Sequence, residues 1–267
     1  MTTAEVYRGD KRFDYAAAFL ERNGVHCRSV TADEAAGNAD FLILPLPMTD
    51  DRAGQWEEWL RLYRGKRVFG GKCGEVVRAA AKKYGVRLTD YCAYEPFAVR
   101  NAVPTAEGAI EILLRETDFT LCGARVLVCG FGRIGRALAG RLQALGSDVT
   151  VTTRDPASEA WCEAQNLRAV PHRDIRAALA GQQIVCSTVP VMLFDRKLLA
   201  AGERDALFID LSGHPGSIDM TAAEALGIRA LQAFGLPGKT APRTAGEIIG
   251  KCILKLWKEE DAYGTTG

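Results

Sequence analysis

One segment fixes much of what this chain can fold into: Val126-Leu127-Val128-Cys129 followed by Gly130-Phe131-Gly132-Arg133-Ile134-Gly135. A short apolar run ends in G-x-G-x-x-G and leads into a helix-forming stretch, Arg136 to Leu145. That order reads as the first strand, turn and helix of a dinucleotide-binding unit. Gly130 lets the chain turn tightly out of the strand. Gly132, with no Cβ, lets the main chain approach a pyrophosphate, and Gly135 lets helix and strand pack closely. The helix N-terminus then faces the negative charge. The candidate cofactor contacts are Gly130, Phe131, Gly132, Arg133, Ile134 and Gly135. The competing reading is a glycine turn with a structural role alone.

Around this segment strands and helices alternate. Before it, strands are expected at Glu5–Tyr7, Cys27–Val30, Phe41–Leu44, Arg67–Phe69 and Val86–Thr89, with helices at Gln55–Tyr63 and Glu75–Tyr84 between the later ones. From it onward, strands are expected at Val126–Cys129, Asp148–Thr152, Ile184–Ser187, Leu207–Asp210 and Arg229–Gln232, with a weak one at Ala169–Val170. The pattern predicts an α/β protein with two doubly wound, parallel-sheet, Rossmann-like domains joined by inter-domain helices. Residues 1–100 would form a flavodoxin- or Rossmann-like substrate domain, and residues 118–241 the nucleotide-binding domain. Pro96 and Pro104 bracket a linker. A helix over 104–117, with Thr105 as N-cap and Glu107 in its first turn, and a return helix over 244–260 would complete the first domain. The tail from Ala262 to Gly267 is expected to be disordered.

Composition removes several function classes. A formal net charge of +1 gives no global field for nucleic acid or an anionic membrane. No apolar run approaches the roughly 20 residues of a membrane span, and no secretion signal is visible at Met1–Glu5. The eight cysteines form no C-x-x-C pair and only three histidines exist, so no metal site is expected and the thiols read as reduced core residues.

The strand ending in Thr152-Thr153-Arg154-Asp155 should reach the adenosine ribose. An NAD-selective protein usually places a carboxylate there. Two hydroxyls and a guanidinium suit a 2′-phosphate instead, so NADP is favoured over NAD, with Thr152, Thr153 and Arg154 as contacts. A solvated loop role for Arg154 is the alternative. Beyond the later strands lie Ser187-Thr188-Val189-Pro190 and Asp210-Leu211-Ser212-Gly213-His214-Pro215-Gly216. Thr188, Pro190 and Ser212 are candidate cofactor contacts. Asp210 could orient a loop or accept a proton, and His214 is a candidate base that could equally be an exposed loop residue. Lys239, Arg243 and Arg12 are candidate carboxylate partners.

These residues together resemble the dipicolinate synthase A-subunit family. The resemblance rests on Gly9-Asp10-x-Arg12, Phe41-Leu42-Ile43-Leu44-Pro45, Asn101-Ala102-Val103-Pro104-Thr105-Ala106-Glu107-Gly108, the glycine fingerprint, Ser187-Thr188-Val189-Pro190, Asp210-Leu211-Ser212 and Gly235-Leu236-Pro237-Gly238 through Ala241-Pro242-x-Thr244-Ala245-Gly246. The family carries an arginine where this chain has His214, and the first strand, Glu5-Val6-Tyr7-Arg8, is less apolar here. The resemblance implies a nicotinamide-binding oxidoreductase component that works with a flavoprotein-like B-subunit of the same synthase. Its expected substrate is a cyclic dicarboxylate of the lysine pathway, 4-hydroxytetrahydrodipicolinate, and its product dipicolinate. It implies substrate contacts from Arg12, Thr105, Lys239 and Arg243 and a base from Glu107 or Asp10, and it weakens the case for His214. A homo-oligomer in the cytoplasm of a sporulating mother cell is the accompanying expectation. A dehydrogenase for a 2-hydroxy acid, or of the shikimate type, and a non-catalytic nucleotide-binding partner of the B-subunit are the alternatives.

Overall fold

The computed structural model describes residues 1–263. The chain divides into two compact units: Met1–Asn101 together with the chain from Ala241, and Ala102–Thr240.

In the first unit the elements run β1 (Thr2–Tyr7), α1 (Lys11–Glu21), β2 (Val25–Val30), β3 (Phe41–Ile43), α2 (Ala53–Leu62), β4 (Arg67–Gly70), α3 (Glu75–Lys83) and β5 (Arg87–Asp90). The five strands are parallel in the order β2-β1-β3-β4-β5. Strands buried on both faces read as continuous apolar runs, and β3 shows why. Phe41 and Ile43 pack with Phe13, Leu20, Ile249 and Ile253 on one face. Leu42 and Leu44 pack with Trp56, Trp59 and Leu60 on the other.

The less apolar first strand has a physical account. Glu5 is buried at 3% exposure, but Tyr63 Oη donates to it at 2.6 Å and the amides of Ala36 and Gly37 at 3.2 and 3.3 Å. The Arg28 guanidinium lies 3.5 Å away. A buried carboxylate is tolerated when its lone pairs are met in this way.

The long helix α4 (Glu95–Glu116) links the two units. It starts ten residues before the expected N-cap, so Thr105 is a buried residue inside it, and Glu107 lies far from its first turn. Pro96 falls in the first turn, where no intrahelical N–H is needed, and Pro104 lies within the helix. The part beyond Ala102 belongs to the second unit: Ala106, Ala109 and Leu113 sit in that unit's core with Val126, Val128 and Leu138. The stretch 104–117, expected to complete the first domain, therefore packs in the second.

The second unit continues with β6 (Arg125–Cys129), α5 (Arg133–Ala144), β7 (Asp148–Thr153), α6 (Pro156–Ala164), β8 (Arg168–Pro171), α7 (Ile175–Ala178), β9 (Ile184–Ser187), α8 (Arg196–Leu199), β10 (Leu207–Asp210), α9 (Met220–Leu226), β11 (Arg229–Gln232) and α10 (Leu236–Thr240). All six strands are parallel, ordered β11-β10-β9-β6-β7-β8. This is the doubly wound dinucleotide-binding order, with its reversal point between β6 and β9.

The return helix α11 (Pro242–Tyr263) lies on α1 in the first unit. A Cβ at Gly246 would run into the Arg12 carbonyl, and one at Gly250 would come within 3.0 Å of the Ala16 carbonyl. Likewise a Cβ at Gly108 would lie 2.7 Å from Thr240 Oγ1, so α10 is seated directly on α4. The helix α11 extends to Tyr263, past the start of the expected disordered tail, and residues 264–267 lie outside the described residues.

Candidate functional site

The dinucleotide turn is assembled from three strand ends. Gly130 leaves β6 with φ +94, and its amide donates to Thr152 Oγ1 of β7 at 3.2 Å. From the end of β9, the Thr188 amide and hydroxyl both donate to the Cys129 carbonyl, at 3.0 and 2.9 Å. A Cβ on Gly130 would lie 2.9 Å from that hydroxyl, and one on Gly135 would run into the Gly130 carbonyl. Around Gly132 there is nothing within 4 Å of where a Cβ would be. Gly132 is also the N-cap of α5, and no side chain caps that helix. The turn thus leaves room beside Gly132 at the start of a long helix, an arrangement suited to a pyrophosphate. Both neighbours that brace the turn, Thr152 and Thr188, spend their hydroxyls on main chain. Thr152 is fully buried, so it supports the loop and does not present a hydroxyl to a ribose.

At the ribose end, Thr153 is buried and pairs with Pro171, and Arg154 is exposed. Among the described residues no carboxylate pairs with Arg154. Asp155 is turned away: it N-caps α6, accepting from the Ser158 amide and hydroxyl, each at 2.9 Å. The hydrogen bond from the Ser158 amide is the chief reason its carboxyl is held below the usual range. Arg136 on α5 donates to the Phe131 carbonyl at 3.0 Å and lies over the rings of Phe131 and Trp161. Sequence reasoning missed His172, which follows β8 and whose Nδ1 lies 3.5 Å from Thr152 Oγ1. In the sequence its strand shows only as the weak Ala169–Val170 pair, and nothing local marks the residue beyond Pro171 as a strand-end position.

Asp210, at the end of β10, is fully buried and organises the next loop. It accepts from Ser212 N at 3.0 Å, Ser212 Oγ at 2.6 Å, Ser217 N at 2.6 Å and Ile218 N at 3.2 Å. That saturation makes it a structural carboxylate, and it occupies the Ser212 hydroxyl. Pro190 is exposed in the loop after β9. His214 is exposed with its ring against Phe234, and no carboxylate among the described residues orients it. Glu107 is more than half exposed and pairs with Arg141 at 3.6 Å, a surface tie between α4 and α5. Lys239 is exposed on α10.

In the first unit, Arg12 and Asp10 form a clamp at the start of α1. Asp10 N-caps the helix, accepting from the Arg12 amide at 2.9 Å. It also receives Arg12 Nε at 3.0 Å and Nη2 at 2.6 Å, while Nη2 reaches the Leu46 carbonyl at 3.1 Å. Burial would raise the Asp10 pKa, but the hydrogen bonds and charge of Arg12 outweigh it and hold the carboxyl below the usual range. A carboxylate held so firmly ionised is a poor proton acceptor near neutrality. Arg243 is exposed and shares Glu247 with Arg22, each at 3.3 Å.

Among the described residues there is no group of three potential metal-ligating side chains, and no helix is long and apolar enough to cross a membrane. Burial pushes the thiols of Cys186 and Cys252 up to about 12, which suits core packing and not nucleophilic chemistry.

Comparison with known proteins agrees with this geometry. A family described as D-isomer specific 2-hydroxyacid dehydrogenase, NAD binding domain, matches residues 111–222. The chain is thus a Rossmann-type, nicotinamide-binding protein of the dehydrogenase class. The dipicolinate synthase A-subunit of Bacillus subtilis is 35% identical over 188 residues, covering 70% of this chain and 62% of that protein. The matched stretch therefore spans less than two thirds of that relative's length. The crystal structure of the dipicolinate synthase A-subunit from Bacillus halodurans superposes with a TM-score of 0.87 at 26% identity, covering 96% of this chain and 97% of that one. The corresponding Bacillus subtilis structure gives 0.86 at 26% identity, covering 98% and 97%. Within the dehydrogenase class, the chain is similar in sequence and fold to dipicolinate synthase A-subunits.

Proposed function

We propose that the protein is the nicotinamide-binding component of a dipicolinate-forming synthase, linked to NADP and working with a B-subunit. The observation that carries the reading is the uncapped N-terminus of α5 behind Gly132, with open space where a Cβ would stand. It supports a pyrophosphate held by main-chain amides of Arg133, Ile134 and Gly135. The exposed Arg154, with Asp155 committed to its helix cap, supports the 2′-phosphate form.

The substrate, 4-hydroxytetrahydrodipicolinate, loses one water and then two electrons and two protons to give the aromatic pyridine dicarboxylate. When bound, the cofactor supplies the hydride acceptor, and one proton leaves to solvent. This chain's part is to orient the dicarboxylate, exclude water and hold charge. Arg12, fixed by Asp10 and the Leu46 carbonyl, has an Nη1 group not used in that clamp and is the best-organised cation for a carboxylate. Lys239 is a second candidate. Arg243 is a weaker one, because Glu247 already holds it.

The test is to supply freshly generated precursor with NADP or NAD and follow pyridine absorbance, with the B-subunit present and absent. Product with NADP supports the reading. No product under any condition, with both proteins folded, rejects it.

A further inference from the structure

We propose that His172 is a second ligand for the cofactor's 2′-phosphate and makes the choice between NADP and NAD depend on pH. The inference rests on the NADP reading above and names a residue for it.

Strand register sets the placement. Thr153 of β7 pairs with Pro171 of β8, so Arg154 and His172 are the first residues beyond the paired ends of adjacent parallel strands. The carboxyl end of β7 is where a dinucleotide's adenosine ribose is read. Thr152 links the two ends of the cofactor site. Its Oγ1 accepts from the Gly130 amide and lies 3.5 Å from His172 Nδ1. With Nδ1 facing that hydroxyl, Nε2 is the ring nitrogen left for a ligand.

The charges around the imidazole are one-sided. Burial, then the Arg154 charge, holds its pKa below the ordinary 6.5. The carboxylate nearest in sequence to Arg154 is Asp155, and it is committed to Ser158. On the imidazole's own turn, Arg173 and Asp174 are exposed and pair with each other at 3.8 Å. From α5, the Arg136 charge acts on Asp155. A guanidinium and a half-buried imidazole thus sit at adjoining strand ends with no carboxylate between them, an arrangement that a dianion relieves. A phosphate monoester held there would raise the imidazole's pKa, so binding takes up a proton. NADP affinity should therefore fall as pH rises above neutrality, where the phosphate stays a dianion with its second pKa near about 6. NAD, which has no 2′-phosphate, should show no such slope.

The experiment measures dissociation constants of NADP and NAD on the full chain by titration calorimetry, at about pH 6.5 and about pH 8, bracketing the range of an imidazole bound to an anion. His172→Gln should weaken NADP by about five- to tenfold at the lower pH, the scale of one charge-assisted hydrogen bond. It should leave NAD within about twofold and remove the pH slope. His172→Arg should keep NADP preference and also flatten the slope. Unchanged NAD binding in each variant reports an intact fold. The proposal is overturned if His172→Gln weakens both dinucleotides alike, or neither. Loss of NADP in Arg154→Ala without loss in His172→Gln would sink the histidine's role and leave the NADP reading standing. A wild-type chain that binds NAD but not NADP would sink both.

Discussion

The two units build the same strand–turn–helix start and finish it in opposite ways. In the second unit, β6 runs into Gly130, and the N-cap of α5 is Gly132, which has no side chain to offer the helix amides. In the first, β1 runs into Gly9, and Asp10 occupies the N-cap with its own carboxylate. One turn leaves an anion site open at its amides. The other fills that site internally and presents the Arg12 guanidinium instead. The difference teaches what each sheet end can receive: a diphosphate on bare main chain in one, a carboxylate on a fixed cation in the other. The first strands differ likewise. Residues 126–129 of β6 are apolar and fully buried, whereas β1 buries Glu5.

The largest effect is expected from that buried charge. Glu5→Ala should lower unfolding free energy by about 3 kcal/mol, because Tyr63 and two amides lose their acceptor inside the unit. Urea denaturation checks it. A loss under about 1 kcal/mol would mean that water already satisfies these donors. Next comes the open turn: Gly132→Val should weaken either dinucleotide by about 100-fold, a cost of roughly 2.7 kcal/mol, with little change in melting temperature. Retained binding would refute the pyrophosphate placement. Smaller again, Arg154→Ala should weaken NADP about tenfold and leave NAD nearly unchanged, and equal losses would contradict the 2′-phosphate reading.

How much of this was legible depended on where the determinants lie. Strands β9, β10 and β11 were readable to the residue, because apolar runs such as Ile184–Ser187 end at turn-forming loops. The start of α4 was hidden by Pro96 and Pro104, which read as linker punctuation. The first sits where a helix tolerates proline, and tertiary packing carries the second. Two of the blocks that carry the resemblance have a packing reason: Gly108 admits α10 and Gly246 admits α11. No local pattern could show that, since the neighbours are more than a hundred residues away. The same holds for the candidate bases. Glu107 reads as a helix-start charge until α4 is seen to begin at Glu95 and Arg141 is seen beside it. His172 was missed because its position at a strand end follows from pairing with β7.

The smallest expected effect separates the two roles of Asp10. Asparagine caps a helix about as well as aspartate does, whereas alanine loses about 1 kcal/mol. Asp10→Ala should therefore cost about 1 kcal/mol, and Asp10→Asn only a few tenths. Yet both remove the charge that holds Arg12. If the clamp matters for carboxylate recognition, both should raise the KM for the dicarboxylate alike, despite their different stabilities. Acid stability gives a further handle. The folded pKa of Asp10 lies below its ordinary value of 3.8, so its ionised form contributes stability above that value. The contribution is lost as pH falls through the lowered folded pKa, so Asp10→Asn should flatten that limb of the stability curve, its small cost present at neutral pH and vanishing at acid pH. A KM raised in Asp10→Ala only would show that the helix start, and not the fixed guanidinium, is what the first unit contributes.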